Sequence, residues 1–263
     1  MIGMVSCNSD ENPELNPIPE SRTPDLVVET FTPRFTSPDC MLDEEPCVEL
    51  FFHYPVFHDL GEWTDSLTHW TETQLVDHPT RQLHREIEGL AYEWFDDWEQ
   101  FHDEIDDYRV PWRLERAVEV VYENDELVTL HSSEFSFAGG AHPNQYDYFQ
   151  SFTKESGRRI GLKDLTPDRT SWKRLVDLAE EHFRYTFELL EEDDLDQAGF
   201  FFDDGRFHLT ENIAFTPYGL LIHFNSYEVA PYAIGPISIE LSYEELEHLI
   251  KSRWLPANVE HPS

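Results

Sequence analysis

The run Trp112-Arg-Leu-Glu-Arg-Ala-Val-Glu-Val-Val-Tyr-Glu-Asn-Asp-Glu-Leu-Val-Thr-Leu-His-Ser-Ser-Glu-Phe-Ser-Phe137 decides the architecture. It holds two strand-like stretches, Trp112 to Tyr122 and Leu127 to Phe137. The polar tetrapeptide Glu123-Asn-Asp-Glu126 joins them, and this arrangement predicts a β-hairpin. Just upstream lies the clearest single element of the chain. From Pro79 to Asp107, Leu83, Ile87, Leu90, Ala91, Trp94, Trp98, Phe101 and Ile105 recur at steps of three and four. Glu86, Glu93, Asp96, Asp97, Asp103 and Asp107 take the other faces. That is the pattern of an amphipathic helix about 40 Å long. Its Trp94/Trp98 face is expected to be buried on the sheet.

Working outward, Leu26 to Phe35 and Cys47 to Phe57 read as strands, the second with Val48, Leu50, Phe52 and Tyr54 on one alternating face. Trp63, Leu67, Trp70 and Leu75 have helical spacing, and Pro79 suits the start of the next helix. Beyond the hairpin, Tyr146 to Thr153 and Arg158 to Leu162 form a strand pair around Ser156-Gly157. Thr166-Pro167 then opens a helix with Trp172, Leu175, Ala179, Phe183, Thr186 and Leu190 inward. Arg206 to Phe215, Gly219 to Phe224 and Ile234 to Leu241 are strand-like, and Ser242-Tyr-Glu-Glu245 is a capping box. Strand runs with helices between them, joined by hairpin-sized turns, predict an α+β fold. Its sheet is mainly antiparallel, covered by the long helix and a second one.

Two signatures in the second half carry more specific information. One is Phe137-Ala-Gly-Gly-Ala-His-Pro-Asn144, followed by Phe152-Thr-Lys-Glu-Ser-Gly-Arg-Arg-Ile-Gly-Leu-Lys-Asp-Leu165. The other is Phe224-Asn-Ser-Tyr-Glu-Val-Ala-Pro-Tyr-Ala-Ile-Gly-Pro236. With them the chain, from about Asp25 to Ile250, resembles the RsiV-like extracellular domain family. That domain occurs in a lysozyme-binding anti-sigma factor and beside the catalytic domain of the PdaC peptidoglycan deacetylase. The resemblance implies a non-catalytic cell-envelope module, with a cell-wall polymer or a lysozyme-like protein as partner. The deacetylase's catalytic domain is not found in the chain.

The organisation expected is a tether over residues 1–24, an RsiV-like domain over 25–255, divisible at 125/126, and a tail over 256–263. Met4-Val-Ser-Cys7 looks like the end of a lipoprotein signal, with Cys7 the lipidated residue and the true start upstream. Asn8 to Pro24 has a tether's composition, rich in Pro, Asn, Glu and Ser. The chain is therefore expected to be exported and held at the membrane only through a lipid on Cys7. Charge bounds the partners further. Of 263 residues, 54 are acidic and 18 basic, giving a net charge of −36. Nucleic-acid binding, which depends on Lys and Arg neutralising phosphate, is excluded. The acidity fits either steering of a cationic partner or a salt-adapted surface, and its spread along the whole chain favours the second.

Catalytic motifs are missing. His84-Arg-Glu-Ile-Glu88 lacks the second histidine of a zinc helix, and no nucleophile elbow or phosphate loop occurs. Asp194 and Asp196 start a calcium-like spacing that ends on Gly205, where a bidentate Glu is needed. His131, His142, His208 and His223 lack ligand spacing, so neither metal nor cofactor is expected. The candidate ligand-binding residues are Gly139, Gly140, His142, Asn144, Tyr227, Glu228 and Tyr232, since exposed Tyr and His beside a Gly-rich turn make a recognition surface. The alternative is a carbohydrate-active envelope hydrolase built from His142, Asp147 and Glu228, and the sequence leaves the question of catalysis open. Oligomeric state is not legible.

Export and short spacing together predict that Cys40 and Cys47 pair, leaving Cys7 as the anchor. Mass spectrometry of protein taken from its native envelope should find the peptide spanning both cysteines two hydrogens lighter than its reduced form. Two free thiols there would count against both the bridge and export.

Overall fold

The structure, a computed structural model, describes residues 26, 28–38, 47–58, 62–80, 82–105 and 110–256. Cys7, Cys40, the tether and residues 257–263 of the tail lie outside them. The deciding hairpin forms as expected from β4 (Trp112–Glu123) and β5 (Leu127–Phe137), paired antiparallel from Arg113↔Phe137 to Glu123↔Val128 with a bulge between Val120 and Tyr122. Asn124 closes the turn, its Oδ1 accepting from the N–H groups of Glu126 and Leu127 at 2.9 Å each. On the far side of β5 lies β6 (Asn144–Thr153), which carries the short β7 (Arg159–Ile160) at one end.

The other side of β4 is paired in parallel, with β3 (Val48–Phe57) in register from Val48↔Trp112 to His53↔Ala117. A parallel pair needs a long crossover. Here the helices α1 (Glu62–Leu75) and α2 (Leu83–Glu104) supply it. The expected strand Leu26–Phe35 divides into β1 (Val28–Phe31) and β2 (Arg34–Thr36), which both pair antiparallel with β3. Phe31↔Tyr54 and Arg34↔Phe51 keep the same register, so this is one edge strand interrupted at Thr32-Pro33. An edge is where proline, which has no N–H to give, is tolerated.

Alternation sorts the side chains of this sheet onto two faces. Leu50, Phe52, Leu114, Val118, Val128 and Leu130 are buried on one, against Leu67 and Trp70 of α1 and Ile87, Ala91 and Phe95 of α2. The long helix is shorter than its pattern. The stretch before Leu83 folds back instead, Thr80 N donating to Glu86 at 2.9 Å. Its buried line also differs from the expected one. Phe95 lies in the core, whereas Trp94 and Trp98 are half-buried at the rim of the sheet, where Trp94 meets Trp112 edge-on and Trp98 Nε1 donates to Val110 O at 3.0 Å. Phe101 and Ile105 are exposed. The far end of the stripe thus lies at the margin of the sheet, where Phe101 still meets Trp112 edge-on at 5.5 Å.

The opposite face of β5 and β6 is covered by a second layer. This comprises a three-stranded antiparallel sheet of β8 (Ile213–Phe215), β9 (Gly219–Phe224) and β10 (Ile237–Ser242), together with the helices α3 (Leu162–Leu165), α4 (Arg169–Thr186) and α5 (Tyr243–Leu246). Leu175, Ala179 and Phe183 of α4 pack on Phe200, Phe202 and Phe207. Asp168, not Thr166, caps α4, accepting from Ser171 N at 2.8 Å. Thr186 and Leu190 are exposed because the helix ends at Thr186. The expected strand Arg206–Phe215 shrinks to its last three residues. β9 is too short to pair the rest, and Phe207 and Leu209 hold the preceding coil by burial instead. β10 starts at Ile237, after Pro236, and the capping box opens a single turn.

Phe95→Ala should therefore cost about 3–5 kcal/mol of stability in denaturant titration. Trp94→Ala should cost distinctly less. The reverse order would mean that the helix packs by the face read from its tryptophans.

Candidate functional site

The β5–β6 connection carries the first signature. Gly139 and Gly140 adopt φ of 84° and 103°. A Cβ on Gly140 would meet nothing within 4 Å, so glycine there serves backbone conformation and not space. The turn projects His142 toward the loop between β9 and β10, which holds the second signature. There His142 stacks on Tyr232 with ring centroids 3.9 Å apart at 17°, and its Nε2 lies 3.4 Å from the Tyr227 hydroxyl. Tyr232 donates its hydroxyl to Pro143 O at 3.3 Å, tying the two loops together. Tyr227 has a left-handed backbone, φ 69°, unusual for a bulky residue, and its ring is 57% exposed.

Of the residues singled out from the sequence, His142, Tyr227 and Tyr232 thus converge on an open rim. Gly139 and Gly140 shape the turn, and Asn144 begins β6 as an exposed residue. Glu228 turns back into its own loop, where Asn225 N donates to its Oε2 at 2.9 Å. The three groups of the hydrolase alternative have separate partners. His142 Nδ1 is 3.0 Å from Pro143 O, Glu228 is tied to Asn225, and Asp147 Oδ1 is 2.8 Å from His131 Nε2.

Beneath the rim is an arrangement that the sequence did not reveal. Along the outer edge of β6, beyond the reach of β7, two asparagine side chains take the place of a neighbouring strand. Asn225 Oδ1 accepts from Asp147 N at 2.7 Å, and Asn212 Oδ1 accepts from Phe149 N at 2.8 Å. Both amides also donate to Asp147 O, at 2.7 Å from Asn212 and 3.0 Å from Asn225. Only the position of Asn225 inside the second signature hinted at this, since a pairing 78 residues apart leaves no local pattern.

The titratable groups here are structural in placement. His131 stacks on Phe149 at 4.3 Å and pairs with Asp147. His223 is buried, its Nδ1 2.8 Å from Ser238 Oγ and its Nε2 without a bonding partner among the described residues. Burial lowers its affinity for a proton, and this outweighs the pull of the Asp147 carboxylate. Burial alone would raise Asp147, but the hydrogen bond and charge of His131 hold its carboxyl below the usual range. His208 contacts Leu209 O and the edge of Phe202, far from a shared centre with the others. Among the described residues no group of three or more His, Cys, Asp or Glu side chains is placed to hold a metal, and no helix is long and apolar enough to cross a membrane.

The two-layered α+β fold is shared with solved structures of similar chains. A DUF3298 member from Bacteroides fragilis has the same fold, with a TM-score of 0.67 and 20% identity over 88% of this chain and 96% of that one. A DUF3298 protein from Pseudomonas aeruginosa PAO1 gives 0.63 and 22% over 88% and 97%. In sequence, residues 42–145 match the family described as Deacetylase PdaC, and residues 163–244 match the protein of unknown function family DUF3298. No curated protein matches the chain. A PdaC segment followed by a DUF3298 segment is consistent with the RsiV/PdaC-like domain that the signatures resemble, and points to a cell-envelope module. His142 lies in the first segment and Tyr227 and Tyr232 in the second, so the rim needs both.

Because His223 is kept neutral in the fold, the unfolded chain binds its proton at higher pH than the folded chain. Stability is undiminished above the ordinary imidazole value of 6.5 and falls as pH drops below it toward the depressed folded value. Asp147 acts only lower, its contribution vanishing as pH falls through a value below 3.8. Urea midpoints should thus decline from about pH 7.5 to about pH 5, and less steeply in His223→Gln, whose amide does not titrate. Equal slopes for the two proteins would place the acid sensitivity elsewhere.

Proposed function

We propose that the protein is a non-catalytic binding module of the cell envelope, exported and anchored through Cys7, whose ligand is a peptidoglycan-related polymer or a lysozyme-like protein. The observation that carries this reading is the His142–Tyr232–Tyr227 cluster, assembled from two loops on an open rim. Rigid aromatic side chains with polar tips are what recognition surfaces use, giving contact area at little entropic cost. The absence of a shared partner among His142, Asp147 and Glu228 favours binding over hydrolysis. The PdaC segment links the module to wall chemistry through the name of its family alone.

The test is retention on purified peptidoglycan and on immobilised lysozyme at several salt concentrations. Salt should slow association with lysozyme by screening the acidic surface, while Tyr232→Ala should mainly raise the dissociation rate. Failure to bind either ligand would sink the proposal. Lysozyme binding that ignores Tyr232→Ala and vanishes at moderate salt would be charge attraction alone.

A further inference from the structure

A second surface adjoins the rim and is chemically distinct from it. Along the clamped outer edge of β6 runs an open groove of about 790 Å³. Trp70 of α1, buried beneath it, forms part of the floor, and Tyr146 and Tyr148 stand in it from β6. These two tyrosines are neighbours on one face of the strand. Their rings are nearly parallel, at 16° with centroids 6.5 Å apart, and they are 36% and 46% exposed. Tyr227, strained and outward, marks the boundary with the rim. The sheet itself does not need Tyr146 or Tyr148 at the surface. An exposed aromatic pair on a rigid strand, fixed by the Asn212/Asn225 clamp, is preorganised for a flat ligand.

We infer that this groove binds a pyranose chain of the N-acetylhexosamine type through its uncharged rings, deepening the binding role proposed above and resting on it. Three features select that chemistry. The C–H face of a sugar ring packs on an aromatic face through dispersion and weak C–H···π contacts, and the two tyrosines offer consecutive faces. Gln74 and Gln150 border the groove with amide groups. Both Gln150 hydrogen bonds come from its nitrogen, to Ser151 O and Ile160 O, which leaves its carbonyl oxygen to accept from a hydroxyl or acetamido N–H. Finally, the lining includes Glu211 and Glu228 and no Lys or Arg, so a chain with a carboxylate or phosphate on every ring is repelled, whereas one whose alternate rings are uncharged N-acetylhexosamines can still seat those rings. The same uncharged rings occur in wall glycan, where they alternate with lactyl-bearing ones, and in free chitin-like polysaccharide.

The experiment is calorimetry and NMR titration of the full chain with an N-acetylglucosamine hexamer, with muramidase-released wall glycan and with a galacturonic acid oligosaccharide. Binding to either of the first two is expected, the tighter one naming the source, and none to the galacturonic acid oligosaccharide, whose every ring carries the charge that the groove rejects. Tyr148→Ala should weaken binding by more than about tenfold, whereas Tyr148→Phe, which keeps the ring, should leave it within about threefold. Resonances of Gln74 and Gln150 should move with the ligand. No binding to either N-acetylhexosamine glycan, equal binding of the galacturonic acid oligosaccharide, or a Tyr148→Ala protein that is folded and binds normally would each overturn the inference. So would a Tyr148→Ala effect on lysozyme with none on glycan, which would make the groove a protein-binding surface. If retention on peptidoglycan responds to Tyr232→Ala and not to Tyr148→Ala, the envelope role stands and the groove assignment falls.

Discussion

Everything in this molecule hangs on one end of the β5–β6 pair, Leu127 to Leu130 against Ser151 to Thr153, being buried from both sides. Val128 faces the α1/α2 core while Leu127, its neighbour, enters the other. The next residue makes the joint specific. Thr129 Oγ1 donates to Phe215 O at 2.8 Å, and Ser151 Oγ accepts from Phe215 N at 2.9 Å, with the two hydroxyls 2.7 Å apart. Two sheets that meet only through apolar contact are free to slide. Buried hydroxyls that must reach the N–H and the C=O of one residue fix the relative position, because an unmade bond there would cost about 1–3 kcal/mol.

From that fixed joint the site follows in short steps. β8 and β9 are brought over β6, and Asn212 and Asn225, at the ends of those strands, reach its open edge. The Asn225 turn is braced by Glu228 and sets the path of the loop that presents Tyr227 and Tyr232. His142 arrives from the other side on the Gly139-Gly140 turn. The rim is the visible end of a chain of contacts that begins with two hydroxyl groups farther along the same strands.

Local pattern made much of this legible. Alternation in Val48 to Tyr54, the Asn124 hairpin turn and the Ser242 capping box each concern residues close in sequence, and each took the expected form. The parallel β3–β4 pair was not legible, because strand direction is set by the crossover and not by the strand's own residues. Periodicity found the long helix but misjudged its buried line. Phe95 sits beside Trp94 in sequence, and only the direction of the sheet decides which ring enters the core. The rim residues were found because two unusual loops stand out as motifs. Asn212 and the β6 tyrosines were not, since an asparagine that replaces a strand and a tyrosine that faces a groove look ordinary in a linear string.

The asparagine clamp also governs how copies of the protein behave toward one another. An uncovered strand edge is a template for intermolecular pairing, the first step toward fibrils. Here the outer edge of β6 offers no free ladder at Asp147 and Phe149, because side-chain amides already occupy it. At the opposite margin, Pro33 interrupts the β1/β2 edge strand. A sheet stopped at both margins in this way can display aromatic surface in a crowded compartment without seeding polymerisation.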